Sequence, residues 1–183
     1  MAREDLRLAN LLGAVALGVT DAAVADVAAQ ADLDSTSAAA LVAMLDLARS
    51  GSVQRLSQLV GISHSGAVRL VNRLADAGLV ERRAGPDGRT ITVALTRRGH
   101  NAARRLRDAR HAAIFAVLSS LSDRQRRELT GICEQLVARL TASRLAARVE
   151  GRSPAGGALC RVCDPVACGR PEGVCPAART AAG

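Results

Sequence analysis

Aromatic side chains are almost missing from this sequence: Phe115 stands alone among 183 residues, with no Trp and no Tyr. The apolar fraction of 49% therefore rests on aliphatic residues, Ala above all, which favours helix and argues against a sheet-dominated fold. Lysine is absent too. All 25 basic residues are arginines against 17 acidic ones, a net charge of +8 that points to a polyanionic partner. An arginine-only set reflects either coding bias or selection for phosphate recognition. The three histidines, His64, His100 and His111, are spread over more than one predicted helix and lie far from the clustered cysteines in sequence, which argues against an enzyme. Long uncharged apolar runs are also lacking. Leu8 to Val19 resembles the apolar region of a signal peptide, but Glu4 and Asp5 offset Arg3 and Arg7, and Asp21 and Asp26 interrupt the run before it could span a bilayer. The expectation is a buried helix in a soluble, cytoplasmic protein with no membrane contact.

What is present is helical periodicity, in a length that suits one domain plus an appendage. Residues 4–30 read as one helix with an apolar stripe of Leu8, Leu11, Leu12, Val15 and Val19. Cap residues in LDSTS open a second helix carrying Leu41, Met44, Leu45 and Ala48, ended by Gly51. A short helix over Val53 to Val60 meets a turn at Gly61 and Ile62, and Ser63 caps a further helix to about Ala77, stopped by Gly78. Then the period changes. LVERR and RTITVAL flank AGPDG, which predicts a two-stranded hairpin. Thr96 caps a long helix to Ser119, and Ser122 with Gln125 forms a capping box for the last one. That helix aligns Leu129, Ile132, Cys133, Leu136, Val137 and Leu140, with Cys133 read as a small apolar member of the stripe.

Helix, tight turn, helix and hairpin is the order of a winged helix-turn-helix. The fold class is therefore mainly α, with a two-stranded wing (α+β), framed by long N- and C-terminal dimerisation helices. The second helix of such a motif reads the major groove of double-stranded DNA from its N-terminal polar face. Here Ser63, His64 and Ser65 sit at its entrance, near phosphates or base edges, and Arg69 and Arg73 suit guanine edges or phosphates. At the hairpin, an arginine such as Arg89 can enter a narrow minor groove, held in orientation by Asp87.

The stretch from Ser52 to Gly99 resembles the DNA-binding core of MarR-type regulators. GLVER at Gly78 to Arg82, DGRT at Asp87 to Thr90 and LTRRG at Leu95 to Gly99 carry the resemblance, which extends over about residues 5–150. It implies a homodimeric transcription factor, usually a repressor, on a pseudo-palindromic operator, with Arg89 in the minor groove; a small-molecule effector, where one exists, is of unknown identity. The domains are then 1–150 (DNA-binding core 35–98, dimerisation helices 1–34 and 99–150), a linker over 151–158, and a cysteine-rich tail over 159–183. The scarcity of aromatics argues against a pocket that stacks aromatic effectors, and the tail departs from most members of the family.

That tail holds Cys160, Cys163, Cys168 and Cys175 in a C-x2-C-x4-C-x6-C pattern. Four soft ligands in a Gly/Pro-rich segment with too few large apolar residues for a core suit a thiolate metal site that orders the peptide. Zinc is preferred; an iron–sulfur cluster is the alternative, since Cys175-Pro176 resembles the closing motif of some cluster-binding segments. The leading function is a DNA-binding regulator with a structural or sensory four-cysteine metal site. The alternative is a zinc-ordered or redox-active module whose main partner is another protein.

Overall fold

Short polar side chains set the helix starts. Asp34, Ser52, Ser63, Thr96 and Ser122 each adopt an extended backbone and accept a hydrogen bond from the amide three residues on. The computed structural model describes residues 2–31, 33–85, 91–151 and 156–182, with 23–31 described by backbone alone. The elements run α1 (Arg3–Ala31), α2 (Ser35–Asp46), β1 (Gly51–Ser52), α3 (Val53–Val60), α4 (His64–Asp76), β2 (Val80–Ala84), β3 (Ile91–Leu95), α5 (Arg97–Leu118), α6 (Asp123–Val149) and α7 (Pro176–Ala182).

The core gathers around α2, whose Ala40, Leu41, Ala43 and Met44 are almost wholly enclosed. Leu56 of α3, Leu70, Val71 and Leu74 of α4 and Val93 of β3 complete it, with Ala103 and Leu106 from α5. Each such leucine contributes about 1.5–3 kcal/mol by leaving water. Alanine lets the backbones of this nearly aromatic-free core approach closely.

The sheet is antiparallel in the order β1-β3-β2. The expected wing is present, with Val80 opposite Leu95 and Arg82 opposite Val93. The expectation of a helix ended by Gly51 is corrected: α2 ends at Asp46, and Gly51 pairs with Val93, adding a third, two-residue strand to the sheet. A run that short has no period of its own, so only its tertiary pairing makes it a strand.

The GLVER and LTRRG segments meet at the root of the wing. Gly78 takes a left-handed φ of 68° after α4. The Thr96 hydroxyl donates to the Gly78 carbonyl at 2.8 Å and accepts from Gly99 N–H at 3.0 Å. A Cβ at Gly99 would lie 2.9 Å from the Leu79 carbonyl carbon, so only glycine lets α5 start this close to β2. These contacts fix the wing against α5.

The long helices behave differently from the core. α1 packs along α5, yet Leu8, Leu11, Leu12, Val15 and Leu17 are exposed, as are Phe115 of α5 and Ile132, Leu136 and Leu140 of α6. α6 buries no residue at all. The expected buried helix at the N-terminus is thus not buried by its own chain. Cys133 is likewise exposed, on the open face of α6. Periodicity identified an apolar face without revealing what covers it. Among the described residues, no helix is long and apolar enough to cross a membrane.

Candidate nucleic-acid interface and cysteine module

α3 and α4 form the helix-turn-helix. Gly61 closes α3 at φ 80°, a left-handed conformation that turns the chain into Ile62 and the Ser63 cap of α4. Ser63 Oγ accepts from Gly66 N–H at 3.1 Å and lies 3.2 Å from Ser65 Oγ. His64 Nδ1 is 3.0 Å from Gln54 Oε1, tying the entrance of α4 to α3. Ala67, Leu70, Val71 and Leu74 point into the core, which leaves Ser65, Arg69, Asn72 and Arg73 on one exposed face.

That face is partly organised already. Arg73 pairs with Asp34 Oδ2 at 3.1 Å, while the same carboxylate accepts from Ser37 N–H at 2.8 Å as the α2 cap. Burial opposes ionisation of Asp34, but the Ser37 hydrogen bonds and the Arg73 charge outweigh it and hold the carboxyl below its ordinary value. Arg82 of β2 donates to Asn72 Oδ1, joining wing and reading helix, and Arg83 pairs with Glu81. Arg69 has no ion pair among the described residues. Asp87 and Arg89 lie outside the described residues. Sequence reasoning missed Gln54, Asn72 and Asp34 as organisers, because each acts on a partner at least ten positions away.

The four tail cysteines are reduced, with Cys175 buried, Cys160 and Cys163 half-buried and Cys168 exposed. Asp164 builds the first loop by accepting from Val166 N–H at 2.9 Å and Ala167 N–H at 3.2 Å. Gly169 and Gly173 take positive φ, and the Gly169 carbonyl accepts from Val174 and Cys175 N–H. These turns bring the thiols together: Cys160 contacts Cys163 and Cys175, and Cys168 contacts Cys163 and Cys175. The Cys163 thiol bond, with smaller help from the Arg170 charge, lowers Cys160 to about 6, whereas its bond to Cys160 and its burial push Cys163 far upward. Burial and the neighbouring thiolates also raise Cys168. Cys160 therefore ionises more readily than Cys163 and Cys168, which its charge disfavours. Among the described residues, no group of three or more His, Cys, Asp or Glu side chains stands in an arrangement that could hold an ion; each thiol instead contacts two of the others. The donor chemistry fits zinc or a cluster. The spacing of the sulfurs as they stand is that of mutually hydrogen-bonded thiols.

The expected linker does not hold the tail apart. Ala158 N–H donates to the Leu59 carbonyl at 2.8 Å, and Arg144 of α6 donates to the Gly157 carbonyl. Ala158 and Val162 pack on the core. Arg107 of α5, whose Nε is buried without a partner among the described residues, bridges Asp46 at 3.4 Å and Asp164 at 3.5 Å. Finally, α7 packs on α6. Between these elements lies a cavity of about 1000 Å³, lined by Arg55, His64, Arg144, Arg148 and Arg170 and, among the described residues, by no acidic one.

A helix-turn-helix with an exposed polar reading face, a β-wing and open flanking helices defines the class of winged helix DNA-binding folds. Residues 31–90 match the family model described as MarR family. The fold is similar to that of a MarR family protein from Bacillus stearothermophilus, with 21% identity and a TM-score of 0.68 over 77% of this chain and 99% of that one. A MarR family protein of Mycobacterium tuberculosis is 25% identical, with a TM-score of 0.57 over 72% of this chain and 95% of that one. A probable transcriptional regulator from Pseudomonas aeruginosa is 26% identical, with a TM-score of 0.53 over 68% and 96%. No curated protein matches the chain. Residues 31–90, which hold the helix-turn-helix and the start of the wing, are thus similar to the MarR family.

Proposed function

We propose that this protein is a repressor that binds a pseudo-palindromic DNA operator as a homodimer. The carrying observation is the exposed face of α4, where Ser65, Arg69 and Asn72 stand clear while the opposite face is locked in the core. Ser63 and His64 at the helix entrance address phosphates or base edges, Arg69 reads a guanine edge or a phosphate, and Arg73 shares itself with Asp34. On the DGRT pattern of the sequence, Arg89 and Asp87 are assigned to the minor-groove contact. The arginine-lined cavity beside His64 adds positive potential along the flanking backbone. Two reading helices address half-sites about one helical turn apart. The open apolar faces of α1, α5 and α6 favour dimerisation, because a contiguous apolar surface of this kind is normally covered. Selection of bound duplexes from a random library tests the reading: a two-fold symmetric consensus supports it, and the absence of any enriched sequence defeats it.

The same proposal includes a metal centre in the tail. Cys160, Cys163, Cys168 and Cys175 would hold zinc, with an iron–sulfur cluster as the alternative, and the bound cation would supply the charge that four thiolates need to coexist. The support is the gathering of four sulfurs by turns at Gly169 and Gly173 in a segment with little core of its own. Metal analysis and an absorption spectrum of anaerobically purified protein test it, since a cluster is coloured and zinc is not. One metal centre per chain supports the site; four freely titratable thiols with no zinc or iron exclude it.

A further inference from the structure

The tail walls off a cavity beside the reading helix. Its backbone packs into the elbow between α3 and α4, where a Cβ at Gly157 would come within 2.6 Å of Gly61 N. The Ala158–Leu59 hydrogen bond closes this seam, and α7 packs on α6. The space enclosed, about 1000 Å³, has the size of a small-molecule site. It cannot admit a duplex, which can meet only its rim at Ser63 and His64.

The charge of this cavity is one-sided. Arg55, Arg144, Arg148 and Arg170 reach it from three parts of the chain, α3, α6 and the cysteine segment. Among the described residues none of the four is in an ion pair. The other ionisable groups on its described wall are His64 and the Cys160 thiol, one negative charge at most against four guanidiniums. The cavity between α2, the wing and α5 differs, because it contains its own counterions: Asp46 and Asp164 hold Arg107 there, and Asp46 also takes Arg49. Arg144 is half-buried and spends one donor on the Gly157 carbonyl, which leaves most of its N–H groups for a further acceptor. Arg55, Arg148 and Arg170 are exposed. The remaining wall is largely aliphatic, from Leu59, Ile62, Leu145 and the alanines of α7, and among the described residues no aromatic ring lines it.

We propose that this cavity binds a small organic diphosphate, its phosphates on the four arginines and its aliphatic part against the leucines and α7. Guanidinium forks meet phosphate oxygens two at a time. A terminal phosphate carries about −1.5 to −2 charge near neutral pH, so a diphosphate answers most of the four positive charges, whereas a carboxylate answers one. An aliphatic body suits a wall that offers no ring for a planar ligand to stack on. The interaction is one of charge and burial and involves no chemistry at the cysteines.

The test is calorimetric titration of the full-length reduced protein with geranyl diphosphate, inorganic pyrophosphate and geraniol, without DNA. Saturable binding of geranyl diphosphate is expected, with weaker binding of pyrophosphate and none of geraniol at the same concentrations. Replacing Arg148→Gln and Arg170→Gln together should weaken geranyl diphosphate by about tenfold or more. Both side chains are exposed and outside every ion pair among the described residues, so the fold should survive, which far-ultraviolet circular dichroism checks. Arg127→Gln with Arg139→Gln, which removes the same charge from α6 outside the cavity, should bind as wild type. Absence of saturable phosphate binding overturns the proposal, as does equal loss in the two double variants or no loss in the first. Equal affinity for pyrophosphate and geranyl diphosphate overturns the aliphatic part. A fluorescent duplex selected by the protein separates a small phosphate from the DNA backbone as occupant. If neither phosphate compound binds while the Arg148/Arg170 variant loses duplex affinity with a shallower salt slope, the arginines serve the duplex and the proposal falls. Because the titration contains no DNA, failure of the operator reading leaves the calorimetric result on the cavity standing.

Discussion

Replacing Asp34 separates two jobs that one carboxylate performs. It caps α2 through Ser37, and it holds Arg73 of the reading helix at 3.1 Å. Asp34→Ala removes both; Asp34→Asn keeps a good cap and discards only the charge. Loss of an N-cap costs about 1 kcal/mol. The ion pair is half-exposed on both sides, so solvent screening limits it to roughly 0–1 kcal/mol. The alanine variant is thus expected to lose about 1–2 kcal/mol and the asparagine variant under about 1 kcal/mol in urea unfolding. Because the folded carboxyl sits below its ordinary value, its contribution is fully present above the unfolded pKa and disappears as pH falls through the folded one. The stability gap between wild type and Asp34→Asn should therefore close on acidification. On DNA the asparagine variant should bind more tightly at low salt, since Arg73 is released. If Arg73 touches a phosphate, the slope of log affinity against log salt should steepen by roughly 0.9. Equal destabilisation by alanine and asparagine would refute the capping role, and unchanged affinity and slope would refute competition between Asp34 and DNA for Arg73.

Three other outcomes follow from the same geometry. Gly99→Ala should destabilise the winged domain by about 1–3 kcal/mol, because its methyl group meets the Leu79 carbonyl; calorimetric melting checks this. Leu136→Glu, on the open face of α6, should shift the proposed dimer to monomer in light scattering at micromolar concentration while α2 to α4 remain folded. For the proposed metal centre, Cys163→Ser should weaken metal retention, since it removes one of four thiolates; elemental analysis after a chelator challenge reads this directly.

Much of this architecture was legible in the residues. Ser63, Thr96 and Ser122 announced their helices because capping is local chemistry, and Gly61 and Gly78 announced turns because their backbone angles exclude most other residues. The exposed arginine at position 69 followed from helical spacing. Features that depend on distant partners were not legible. The β1 strand exists only by pairing with β3. Arg73 looked free in sequence, yet it meets a carboxylate from another helix. The stretch ending at Gly157 has the composition of a linker, but its glycine is what allows contact with the elbow. For α1 and α6, the apolar spacing describes a face equally well whether the same chain or a second copy covers it. The cysteine spacing marked a grouping of thiols, which the paired contacts reproduce, but spacing carries no information on the ion.

Sequence-specific binding through α4 is the central claim, and Arg69→Ala tests it most directly. Arg69 is exposed, takes no part in the core and makes no ion pair among the described residues, so its loss should leave folding intact. Titration of wild type and variant against the selected duplex and a scrambled one, across a salt series, gives the decisive comparison. Loss of about 1–3 kcal/mol on the selected duplex, with little change on the scrambled one, is expected if Arg69 reads a base. A uniform loss on both duplexes with a shallower salt slope would move Arg69 to a phosphate but keep α4 on the DNA. Unaltered affinity and salt slope on both duplexes would contradict the claim that this helix reads DNA.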